Sequence, residues 1–540
     1  MKILENKGVE YCFALPGEEN LDFLEAIRKS KIKLIVTRHE QAAAFMAATY
    51  GRLTGRPGLC LATLGPGALN LVTGVAYAQL GGMPLIAITG QKALLDNWQA
   101  KFQIVDVVGV MKPITKLTTT VSNPRYMSKI AHHAFNVAHD ERPGAVHVEI
   151  PEDIAGAAFE ENQNGYDVLP NRRTVPDEKA LRLAADIIKE AKRPIIVVSG
   201  GGNRKLVTKQ LRNLVNLTNI FVIGTQLGKG VLPDDDPHSL FSFGMHRRDY
   251  VHEAIDASDL IITVGYNTNE HPPYIWNKKK NKKILHIDFT QVEPDEFYIP
   301  TFQVAGDISF TLWSLQYYLR DTRFDTSIFA ALRQKLLTKH EEKSNSAAFP
   351  LIPQRIVSDI RAVMGREDIV ALDNGIYKLW FARQYHTYAP NTLLLDNTLA
   401  TMGAGLPSAM AAKLLYPAKR VLAVCGDGGF MINSQELITC VKENINVVVL
   451  IVNDNSYGFI EWKQNNMKLP PFGMKLANPD FVQYAESYGC LGLRVTSADD
   501  LKTKLTAAFA SGRPTIIDCP IDYAENVRVF NEELHHLQVT

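Results

Sequence analysis

Two acidic loops in the last third of the chain carry the strongest chemical signal. An apolar run at 421–425 ends in Gly426-Asp427-Gly428-Gly429, and a second at 446–452 ends in Asn453-Asp454-Asn455. The two acids are 27 residues apart, which fits one strand–helix–strand crossover. Acids just past the carboxyl ends of two strands sit where open α/β sheets bind ligands. If the strands are neighbours, Asp427 and Asp454 converge on one point. Two carboxylates plus a carbonyl are hard oxygen ligands suited to Mg²⁺, which keeps waters and bridges phosphates. The glycines let the backbone approach a diphosphate, and the helix N-terminus that follows favours its charge. An Asp-Gly turn alone means no more than a polar strand end. The crossover and the second acidic loop move the reading toward a metal-held diphosphate.

Other residues gain meaning only from their surroundings. Glu40 opens a helical stretch beside Arg38 and His39. Gly65-Pro66-Gly67 is a turn between a strand and a helix, where backbone donors could meet a developing oxyanion. Met402 is followed by Gly403 and Gly405, which permit close backbone approach.

The elements that position these residues form three strand–helix series. Buried strands are expected at 32–36, 58–63, 85–89 and 145–150, then at 194–198, 220–223, 260–264 and 284–288. A third set is expected at 369–373, 421–425, 446–452 and 515–519. Helices are expected at 39–53 and 68–80. Polar stretches at 155–180 and 335–350 read as linkers. The fold class is therefore α/β, with three consecutive domains of parallel sheet flanked by helices, spanning 1–160, 180–335 and 350–540. A length of 540 residues agrees with three domains.

The net charge of +1 gives no support to nucleic-acid binding. The lysine-rich run at 278–283 reads as a solvated loop tip. Six scattered cysteines without CxxC spacing point away from zinc and toward a reducing compartment. Neither a signal peptide nor an uninterrupted apolar span is apparent, so a cytoplasmic protein without a membrane segment is expected.

These motifs together resemble one family. The pattern GDGG…NDN is similar to the fingerprint of thiamine-diphosphate (ThDP) enzymes. The segments at 37–91 and 101–116 resemble acetolactate synthase almost throughout, closest to its FAD-independent catabolic members. The resemblance implies pyrimidine-binding, middle and diphosphate-binding domains in that order. It implies Asp427, Asp454 and the Ser456 carbonyl as Mg²⁺ ligands, with Asp454 standing where Asn is usual. It places Gly375, Tyr377, Gly426, Gly428, Gly429, Tyr457 and Gly458 on the cofactor's diphosphate side, and makes Met402 the wedge between its two rings. Glu40 is implied as the carboxyl group at N1′ of the aminopyrimidine. Gly65, Phe102, Gln103 and Lys116 are implied around the reacting carbonyl.

The implied reaction condenses two pyruvates to 2-acetolactate with loss of CO₂. A 2-oxo acid decarboxylase, an aldehyde lyase or ligase, and an inactive relative are the alternatives. The active site would lie across a subunit interface in a homodimer or homotetramer. FAD is expected to be absent, because VGYNTNEHPPYIW lacks the Arg that biosynthetic members carry in a Phe-Asp-Asp-Arg segment, and VVSGGGN is not a GxGxxG motif. His132 and His133 lie outside 91–103, where pyruvate decarboxylase has its His pair, and read as helix surface. Trp462 lies four residues past Gly458, not the family's five, which leaves its role open.

Overall fold

A computed structural model describes residues 1–96, 102–158, 173–244, 247–535 and 537. It contains three six-stranded sheets. The first has strands β1 Tyr11–Ala14, β2 Lys33–Val36, β3 Gly58–Ala62, β4 Leu85–Gln91, β5 Leu117–Thr120 and β6 Ala145–Pro151, in the order β2-β1-β3-β4-β6-β5. The second has β7 Pro194–Val198, β8 Phe221–Gly224, β9 Ser239–Ser242, β10 Leu260–Val264, β11 Lys283–Asp288 and β12 Phe302–Ala305, in the order β12-β11-β10-β7-β8-β9. The third has β13 Ile369–Leu372, β14 Leu393–Leu394, β15 Val421–Gly426, β16 Val448–Asn453, β17 Leu491–Arg494 and β18 Thr515–Pro520, in the order β14-β13-β15-β16-β18-β17. Every strand pairing within these sheets is parallel.

Parallel sheets need helices on both faces, and the third sheet shows how the chain meets that need. Leu422, Val424, Leu450 and Val452 point into a core shared with the middle domain. Ala423, Cys425, Val449 and Ile451 point into a core shared with the first domain. The helix Glu40–Thr54 carries seven consecutive buried apolar residues, Ala42 to Ala48, five of them alanine. It lies against the helix Gly405–Leu415, where Thr49 Oγ1 donates to Ser408 Oγ at 3.0 Å. Small side chains allow that close approach.

The linker expected at 335–350 begins too early. The helix Ser327–Glu341 runs through its first half and buries Leu332 and Leu336. The 155–180 linker lies partly outside the described residues; its described start includes the helix Glu152–Ala155. The 278–283 run is largely exposed, as a loop tip should be. His132 and His133 lie on the helix Met127–His139. Among the described residues, no helix is long and apolar enough to cross a membrane.

The middle and third domains are joined by a bidentate ion pair. Arg383 Nε and Nη2 donate to Asp249 at 2.6 and 3.1 Å, with both side chains 7% exposed. Burial pushes the Asp249 carboxyl up, but the Arg383 charge and hydrogen bonds outweigh it and hold the group below its ordinary value. Removing one partner strands a buried charge. Asp249→Ala is therefore expected to cost about 3–5 kcal/mol, read as a lower urea midpoint for the transition that reports this domain interface.

Candidate active site

Strands β15 and β16 are direct neighbours, with Gly426 in register with Val452. Their carboxyl ends therefore deliver Asp427 and Asp454 side by side, as the crossover spacing requires. Asp427 opens the helix Asp427–Asn433. Asp454 precedes the helix Gly458–Asn466. Burial first, and then the Asp427 charge, push the Asp454 carboxyl up to about 7. Burial also raises Asp427. Two buried acids, one of them raised further by the charge of the other, form a donor set that a divalent cation would relieve. Among the described residues no group of three or more His, Cys, Asp or Glu is arranged to hold a metal. A metal here would thus draw on this pair and on backbone oxygen.

A cavity of about 590 Å³ opens at these strand ends. Gly375, Tyr377, Met402, Gly426, Asp427, Gly428, Gly429, Asp454, Ser456, Tyr457 and Gly458 all line it. Tyr377 is buried, and its hydroxyl accepts the Gly426 N–H at 3.1 Å, so it holds the glycine loop from below. The Ser456 hydroxyl is committed to Glu461 and to the Met474 carbonyl. Gly458 is required by space: a Cβ there would stand 2.4 Å from Asp454 Oδ2. Gly458→Ala should push that carboxylate aside and weaken Mg²⁺ binding about ten-fold, which a metal titration of cofactor turnover or of cofactor fluorescence would read.

Several lining residues escaped the sequence reading. Tyr523 from the C-terminal segment and Thr73 from the first domain both line the cavity. Asn478 Nδ2 donates to Asp427 Oδ2 at 2.7 Å and to Asn455 Oδ1 at 3.1 Å. Tyr523 follows the last strand of the third sheet, and Asn478 sits in a loop with no motif to betray it. Trp462 is buried against Phe459 and Phe530 and does not line the cavity.

The first-domain candidates stand apart from this cavity. Glu40 is 4% exposed at its helix start and accepts from Asn70 Nδ2 at 3.0 Å. The turn before it is held by Glu436, whose Oε1 accepts the Arg38 and His39 N–H groups at 2.8 and 3.1 Å. Gly65 has φ +50°, and a Cβ on it would lie 2.4 Å from the Gln103 carbonyl oxygen, so these two candidates are in backbone contact. Phe102 is 80% exposed.

Lys116 does not join them. It precedes β5, so in a parallel sheet it stands at the opposite edge from Glu40 and Gly65, which follow β2 and β3. Its Nζ donates to the Asp140 carbonyl at 2.7 Å. Placing Lys116 in the same site is corrected on that ground: the whole-segment likeness ran past the strand turn that carries it away.

The middle-domain sheet has a switch point of its own. In its sheet the order reverses between β7 and β10, where a crevice would normally open. Here Gly201 donates to the Gly265 carbonyl at 3.0 Å, and a Cβ on Gly265 would meet Gly202 N at 2.3 Å. The fully buried Glu270 carboxylate accepts from Ser199 Oγ and from the Leu227 N–H. A cavity of about 190 Å³ opens beside these residues, lined by Gly200, Gly201, Arg204, Leu227, Gly265 and Asp288.

The whole chain has known relatives. The N-terminal TPP-binding domain of thiamine pyrophosphate enzymes matches residues 1–110, their central domain matches 181–315, and their C-terminal TPP-binding domain matches 373–519. An acetolactate synthase from Bacillus subtilis is 30% identical, covering 98% of this chain and 94% of the relative. A probable acetolactate synthase large subunit from Methanocaldococcus jannaschii is 33% identical over 97% and 91%. A catabolic acetolactate synthase from Raoultella terrigena is 29% identical over 99% and 96%. With three matched domains in the family's order and near full-length similarity, the chain belongs to the acetolactate synthase family and is a ThDP-dependent enzyme of carbon–carbon bond formation.

Proposed function

We propose that this enzyme condenses two pyruvates to 2-acetolactate and CO₂, with Mg²⁺ and without flavin, in an active site shared by two copies of the chain. The observation that carries the reading is the convergence of Asp427 and Asp454 under the glycine loop of a cavity that also presents Met402.

ThDP, when bound, supplies the electron sink that lets a 2-oxo acid lose CO₂. The chain's residues do the rest. Asp427, Asp454 and the Ser456 carbonyl hold Mg²⁺, and the glycine loop with the helix start at Asp427 takes the diphosphate. Met402, which lines the cavity, would press on the bound cofactor. Glu40 holds or releases a proton at N1′ of the aminopyrimidine. The Gly65 and Gln103 backbones flank the reacting carbonyl, and Phe102 shields it from water.

Position supports the shared site. Glu40, Gly65 and Gln103 do not line their own chain's cavity. Apolar side chains are bare on both sides, Phe102 in the first domain and Ile460, Met467 and Phe472 in the third. A second copy would cover both and bring Glu40 to Met402. At the middle-domain switch point the buried Glu270 carboxylate already takes the Ser199 hydroxyl and the Leu227 N–H, which supports turnover without flavin.

Product analysis tests the reading. Purified protein with ThDP, Mg²⁺ and pyruvate, and no added flavin, is expected to yield acetolactate. Acetaldehyde alone would reassign the enzyme as a decarboxylase. Turnover that appears only on adding FAD would overturn the flavin-free part.

A further inference from the structure

Met402 stands on a loop with no secondary structure of its own, between β14 and the helix Gly405–Leu415. The next residue, Gly403, has φ +88°, a conformation that few other residues hold. A side chain that must press on a cofactor needs its backbone fixed by something. Both backbone polar groups of Gly403 are gripped by buried side chains from different elements. Its N–H donates to Asp373, at 2.9 Å to Oδ1 and 3.0 Å to Oδ2. Its carbonyl accepts from Asn433 Nδ2 at 2.7 Å. Asp373 is 2% exposed and Asn433 is 1% exposed.

Each grip is itself anchored. Asp373 follows β13 directly and also accepts the Asn374 N–H at 2.7 Å, next to Gly375 of the cavity wall. A Cβ on Gly429 would lie 3.0 Å from its Oδ2, so the carboxylate also underlies the glycine loop. Asn433 closes the helix that Asp427 opens. Its amide donates a second time, to Gln41 Oε1 at 3.0 Å, and its oxygen accepts from Gln435 Nε2 at 3.2 Å, which leaves its rotamer no freedom. One peptide therefore ties together the Asp373–Gly375 turn, the Gly426–Gly429 loop and the Met402 loop.

We infer that Asp373 and Asn433 are positioning residues, a clamp on the Gly403 peptide that fixes Met402 relative to the glycine loop. The inference rests on the reading of Met402 as the residue that shapes the bound cofactor. The two grips are not equivalent. Asp373 offers only acceptors to several backbone N–H groups, so Asp373→Asn points an amide donor at donors. Asn433 supplies one donor to a carbonyl, so Asn433→Asp keeps the shape and removes that donor while adding repulsion.

A double-mutant cycle on the full-length protein tests this. ThDP Kd is measured by calorimetry with saturating Mg²⁺, and kcat and KM for pyruvate by steady-state assay. The variants are Asn433→Ala, Asn433→Asp, Asp373→Asn and Met402→Ala, with each clamp variant repeated in the Met402→Ala background. Loss of one buried hydrogen bond is expected to raise the ThDP Kd about five- to ten-fold and to lower kcat with little change in KM. In the Met402→Ala background the Asn433 substitutions should add almost nothing, because the residue they position is gone, while Asp373→Asn keeps only the part of its loss that acts through the glycine loop. Asn433→Asp keeps the test open if Asn433→Ala folds poorly. Losses that multiply with that of Met402→Ala would overturn the clamp alone. A Met402→Ala protein with unchanged ThDP Kd and kcat would overturn the clamp together with the reading of Met402.

Discussion

Glu40→Gln is expected to bind ThDP nearly as well as the native enzyme and to lose at least about a hundred-fold in turnover. The substitution keeps shape and hydrogen bonding. The Glu40 side chain is buried at the first turn of its helix, and Asn70 Nδ2 reaches one carboxylate oxygen at 3.0 Å. A glutamine oxygen can take that bond. The His39 cap and the Glu436 grip on Arg38 and His39 do not involve the substituted group. What disappears is a carboxyl that can hold a proton at the aminopyrimidine and release it. Calorimetry with ThDP and steady-state assays with pyruvate separate the two effects. Undiminished turnover would remove Glu40 from the mechanism, and a collapse of ThDP affinity would make it a binding residue instead. Mixing this variant with Asp427→Ala tests the shared site. If Glu40 serves the partner's metal site, a dimer of the two inactive chains contains one site with both groups intact, and activity returns. If each chain completes its own site, mixing restores nothing.

What the sequence made legible, and what it hid, follows from where apolar residues are needed. Interior strands such as β15 and β16 are covered on both faces and so read as unbroken runs of Val, Leu and Ile. Of the edge strands only β2, expected at 32–36, gave such a signal. Leu117–Thr120 and Leu491–Arg494 are only partly buried, and Leu393–Leu394 is two residues long. The interior β1, Tyr11–Ala14, is buried but too short to stand out from its surroundings. The site divides in the same way. Residues tied to a strand end by a fixed motif, from Gly426 to Gly429 and at Asp454, converge as their spacing requires. Residues whose role depends on a distant loop could not be read. Asp373 acts on Gly403 across thirty positions of chain, and Asn478 reaches Asp427 from a loop without pattern. Lys116 shows the opposite failure: a likeness over a whole segment does not survive a turn that sends one residue to the other edge of the sheet.

Asp454→Asn is expected to weaken Mg²⁺-dependent ThDP binding by at least about ten-fold while making the cofactor-free protein more resistant to heat. The two effects have one cause. In the cofactor-free chain the Asp454 carboxyl, ordinarily near 3.8, is lifted to about 7 by burial and by the charge of Asp427. Between those two values the folded chain holds a proton that the unfolded chain has lost. Stability therefore falls as pH rises through that window, and the full penalty is present above about pH 7. At roughly 1.4 kcal/mol for each step of one in pKa, the penalty is on the order of 4 kcal/mol. Asparagine removes it, so the gain in melting temperature should be large at pH 8 and smaller at pH 5. Melts of both proteins in chelator at the two pH values measure this. Added Mg²⁺ and ThDP should reverse the order, because the cation offsets the repulsion and then depends on both charges. A native protein that is already the more stable of the two at pH 8 in chelator would mean that the acids do not oppose each other. The case for a cation between them would then lose its electrostatic support.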